Sequence, residues 1–73
     1  MARPLSPATR ARYERALATI RREVETTRTR REDAIKLGHA YEVSACNTYL
    51  HKLALRRVAL ERALAAHPAK ENA

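Results

Sequence analysis

The chain has 73 residues and a mass of 8.3 kDa, enough for one domain but too little to enclose a large substrate cavity. Hydrophobic residues make up 45%, yet fifteen residues are alanine and none is Trp or Phe, so burial contributes little per residue. The formal net charge is +7, carried mainly by twelve arginines, and one cysteine excludes a disulfide within the chain and argues against a thiolate zinc cluster.

No apolar run approaches the ~20 residues of a membrane span, and no apolar leader segment follows Met1. The expectation is a cytoplasmic protein that neither spans nor binds a membrane.

In chain order, Ser6-Pro7 reads as an N-cap followed by proline at the first helical position, where a missing N–H costs nothing. Ala, Leu, Arg, Glu and Lys, the better helix formers, together fill most positions to Leu37, and Gly38, the sole glycine, is suited to a left-handed helix end. A second helical stretch runs from about 40 to 66 and is closed by Pro68. Alternating or β-branched runs that would mark strands are absent. The prediction is one domain with helices at about 7–37 and 40–66, a turn at 38–39, and flexible tails at 1–5 and 68–73.

Heptad spacing joins the two helices. Tyr13, Leu17, Ile20, Val24, Thr27, Arg31 and Ala34 follow alternating steps of four and three, and Val43, Cys46, Leu50, Leu53, Arg57, Leu60 and Leu64 follow steps of three and four. Paired antiparallel, Tyr13 with Leu64 through Ala34 with Val43, every couple of residue numbers adds to 77, which puts the fold-back between residues 38 and 39. Register and turn chemistry thus agree on an all-α antiparallel two-helix hairpin with a coiled-coil-like seam.

Two helices cannot surround a core, and the second carries apolar residues that the seam leaves unused. Tyr49, Ala54, Leu55, Val58 and Ala65 are expected to form a dimer or partner interface, with Arg57 and Glu61 pairing across a dimer axis, so that two chains make a four-helix bundle. Arg31 beside Thr27 makes residues 26–31 the place where a bend or fraying is expected.

No catalytic set emerges. Cys46 and His51 lie about 140° apart on a helical wheel, too far for a nucleophile–base pair. His39 reads as a turn residue, His67 as a residue at the negative end of a helix dipole, and Cys46 as a small buried apolar group. One glycine cannot build a phosphate-cradling loop. The expectation is a non-enzymatic chain with no cofactor, no metal and no small-molecule substrate.

Charge is more informative. On one flank of the first helix Arg10–Glu14, Arg21–Glu25, Arg28–Glu32 and Glu32–Lys36 stand four apart, a self-neutralising solvated face. The outermost ridge differs: Arg12, Arg15, Thr19, Arg22, Thr26 and Thr29 line up with no carboxylate before Asp33, and Arg30 extends the row at its flank. Exposed threonine has no helix-propensity advantage, whereas arginine with hydroxyl donors suits an acidic surface or a phosphate backbone. The favoured expectation is a small interaction protein that binds and modulates another protein through an acidic surface, as a bacterial, phage or plasmid accessory regulator or inhibitor would. The alternative is a regulator gripping the phosphate backbone of DNA or structured RNA; three tyrosines at 13, 41 and 49 offer no stacking platform for single strands.

Overall fold

The computed structural model describes residues 5–67, which form two helices, α1 (Pro7–Leu37) and α2 (Ala40–Ala66), packed side by side as an antiparallel hairpin. Of the expected tails at 1–5 and 68–73, all but Leu5 lie outside the described residues, as does Pro68 as a helix stop.

Local chemistry sets each boundary. The Thr9 amide donates to Ser6 Oγ at 3.1 Å, and extended Ser6 precedes Pro7, whose fixed φ suits a first helical turn. At the far end Gly38 takes φ +74°, and the Gly38 and His39 amides donate to the Ile35 and Ala34 carbonyls at 3.1 and 2.8 Å. These two bonds satisfy the last carbonyls of α1 and reverse the chain within two residues. His39 then opens α2 without a side-chain cap, and Glu42 in the first turn meets the positive end of the helix dipole.

The core is a single line of side chains between the helices. Leu17, Ile20, Thr27 and Ala34 of α1 are buried against Cys46 and Leu53 of α2, while Tyr13, Val24, Val43, Leu50, Leu60 and Leu64 are half-buried along the same line. Leu53 is the most enclosed, at 1% exposure. Arg57, at the same heptad phase, departs from this pattern: it is exposed, and its Nε lies 4.0 Å from Glu61 Oε2 of its own chain. A guanidinium at a core-type position carries its stem along the seam and its charge to water. Arg31 solves the same problem by donating from Nε to Asn47 Oδ1 at 2.6 Å. The weakness expected at 26–31 does not interrupt α1, because Thr27 is buried in the seam and α1 continues without a break to Leu37.

The hairpin is a rod of 55 × 19 × 15 Å, with a radius of gyration of 16.4 Å against about 11 Å for a compact chain of this length. Large apolar side chains consequently remain outside, with Tyr41 at 90% and Leu55 at 59% exposure.

Candidate interaction surface

The ridge residues Arg12, Arg15, Thr19, Arg22, Thr26, Thr29 and Arg30 are all exposed on α1. A rise of 1.5 Å per residue spreads Arg12, Arg15 and Arg22 over about 15 Å of axis. Among the described residues none of these three has a carboxylate within 4 Å; Arg22 Nη2 instead donates to Thr19 Oγ1 at 3.3 Å. The hydroxyl one turn back therefore orients a ridge guanidinium without neutralising it.

Arg30 behaves differently. Its Nε lies 3.9 Å from Glu42 Oε2, so it bridges to α2 rather than extending the free ridge. Thr26, Thr29, Arg30, Asp33, Leu37, His39 and Glu42 line an open groove of about 610 Å³ beside the turn. The ridge thus has two parts: Arg12, Arg15, Thr19 and Arg22, whose only charges are positive, and a mixed-charge groove at 26–42.

The opposite flank is less self-neutralised than its spacing implies. Of the four i,i+4 couples, only Arg10–Glu14 closes, at 3.9 Å, and Arg21, Arg28 and Lys36 have no ion pair among the described residues. Exposed pairs gain little Coulomb energy in water and must restrain two long side chains, so their absence has a plain physical cause.

The residues expected at a second interface do not share one face. Ala54, Val58, Glu61 and Ala65 fall on one side of α2, with Leu55 next to them. Tyr49 lies about 140° away on the wheel and is tied across the hairpin, its hydroxyl donating to Glu23 Oε1 at 2.7 Å. That bond favours the neutral phenol, which it must keep protonated to donate, so the Tyr49 pKa is raised; burial and the Glu23 charge push the same way, and Arg56 opposes them.

Arg10 has a role the flank reading missed. Its Nη2 donates to the carbonyls of Leu64 (3.5 Å), in the last turn of α2, and of His67, just beyond it. A cation placed there satisfies orphan carbonyls and faces the negative end of the dipole. The signal was present, because stepping back three residues from Tyr13 lands on Arg10, and Arg10 with His67 again adds to 77.

Cys46 is a buried free thiol. Among the described residues no three His, Cys, Asp or Glu side chains gather as a metal site would need, and no helix is long and apolar enough to cross a membrane. Comparison with known protein families, with curated proteins and with solved structures finds no match to this chain.

Proposed function

We propose that this chain is a non-enzymatic helical interaction module, working as a dimer, that docks Arg12, Arg15 and Arg22 on an acidic surface of another protein and so regulates it. The observation that carries this reading is that three exposed guanidiniums stand in line on a continuous helix with no carboxylate within 4 Å among the described residues. Aspartate- and glutamate-rich surfaces accept such forks bidentately. The steering charge of +7 raises the encounter rate, and neighbouring apolar contacts set residence time.

A phosphate backbone is the second reading, favoured by Arg21 and Arg28, which have no ion pair among the described residues. Magnitude argues for the first. Three ridge contacts give a salt slope of about −2.7, a loss of only about 40-fold between 50 and 200 mM salt. Arg21 and Arg28 stand about 130° around α1 from the ridge, so a duplex lying along the ridge meets Arg12, Arg15 and Arg22 but not these two.

Replacing Arg12, Arg15 and Arg22 with Glu and comparing capture of protein partners, alongside retention of duplex DNA and structured RNA at 50 mM salt, tests the assignment. Protein capture lost in the variant, with no nucleic acid held by the native chain, is the expected result. Undiminished capture removes the ridge from the function, and strong retention of duplexes transfers it to the second reading.

A further inference from the structure

We propose that α2 pairs with α2 of a second copy, antiparallel, along the stripe His51, Ala54, Val58 and Glu61, about a two-fold axis level with residue 56. This rests on the dimeric reading above and adds its face, register and symmetry.

The stripe is exposed along its length, with Val58 at 37%, and recurs in steps of three and four. Its direction is about 90° around α2 from the seam. That is the angle a helix at the corner of a square bundle needs to touch two neighbours.

A two-fold interface must be complementary to itself, residue i meeting j and j meeting i. With couples adding to 112, Ala54 meets Val58 of the copy and His51 meets Glu61 of the copy, each twice. A small residue faces a larger one at the centre, and an imidazole donor faces a carboxylate outside it. Leu55, exposed beside the stripe, falls next to Leu55 of the copy. On the other flank Arg57 approaches its own copy, each keeping Glu61 of its own chain at 4.0 Å as counter-ion.

The α1 helices provide an independent check on this register. The 77 rule places residue 56 level with Arg21, so the same axis brings Glu14 level with Arg28 of the copy, opposite charges on facing helices. Arg21 meets its own copy there, with Glu25 one turn on. The Arg12–Arg15–Arg22 ridge points away from this interface, so each dimer would present two ridges.

Surface area permits the contact. The chain exposes 5827 Å², about 1,200 Å² more than the roughly 4,600 Å² expected of a folded monomer of this mass. A standard specific interface removes about 800 Å² from each partner.

Sedimentation equilibrium on the full chain at 1–100 µM, with circular dichroism confirming unchanged helicity, tests the register. The native chain should sediment at twice 8.3 kDa. Val58→Asp and His51→Glu should each raise the dissociation constant at least tenfold, and adding Glu61→Lys to His51→Glu should recover most of that loss. A native monomer at 100 µM overturns both the dimeric reading and this pairing. A native dimer that ignores both single substitutions, or one weakened by His51→Glu but not recovered by the second change, overturns the pairing alone and leaves the dimeric reading standing.

Discussion

Gly38 sets the hairpin, and its substitution separates backbone handedness from packing. The residue sits at φ +74°, and a Cβ built on it would meet nothing within 4 Å. The cost of a side chain here is therefore conformational alone. Holding an L-residue in the left-handed region costs about 1–2 kcal/mol. Restricting the unfolded chain returns about 0.4–1 kcal/mol. Gly38→Ala should then destabilise by about 1 kcal/mol, or about 4–8 °C in Tm for a chain of this size. Asn tolerates this region better, so Gly38→Asn should cost less than Ala. D-alanine at 38, introduced by chemical synthesis, keeps the entropic gain without the penalty and should stabilise by about 0.4–1 kcal/mol. Urea unfolding followed by circular dichroism at fixed chain concentration gives these differences. Equal destabilisation by L- and D-alanine would refute the argument, since handedness at residue 38 would then make no difference.

Other substitutions probe the seam and its edges. Leu53→Ala should cost about 2–3 kcal/mol in urea unfolding, the low end for a buried leucine because a two-helix seam can relax around the gap, whereas Leu37→Ala, at 67% exposure, should stay within about 0.5 kcal/mol. Arg10→Ala removes the cap on the last α2 carbonyls and should cost about 1 kcal/mol, with amide exchange accelerating at 63–67 more than at mid-helix. The neutral Tyr49 phenol donates to Glu23, so its folded pKa is raised above the unfolded value near 10, and the stability it contributes is fully present below pH 10 and lost as pH rises through the folded pKa. Tyr49→Phe should flatten that alkaline loss in pH-dependent unfolding; an unchanged alkaline limb would exclude the bond.

Hairpin, seam and turn were legible because each rests on local rules that point the same way. Ser6-Pro7 and Gly38 have few alternative uses in a helical chain, and the 77 register follows from apolar spacing alone. What the sequence did not disclose are contacts made by long polar side chains. Arg10, Arg30 and Arg31 have several staggered routes to a partner, and only the packed hairpin selects the α2 carbonyls, Glu42 and Asn47. Wheel position equally suggested that Tyr49 was free for an interface, since a flank residue and a cross-hairpin bond share the same phase. Arg57 reads as a core residue by spacing, yet its charge is carried out to solvent.

The fold-back places the ridge, the α2 stripe and every facing couple, so it is tested most directly by one distance. Spin labels at Ala8 and Ala66, in a Cys46→Ala background diluted with unlabelled chain, report separation within a single molecule by electron–electron resonance. Helix axes 8–10 Å apart with these residues nearly level predict a distribution below about 25 Å. A single uninterrupted helix would hold the labels about 87 Å apart. A population at that long distance would contradict the hairpin and, with it, each surface assigned to the rod.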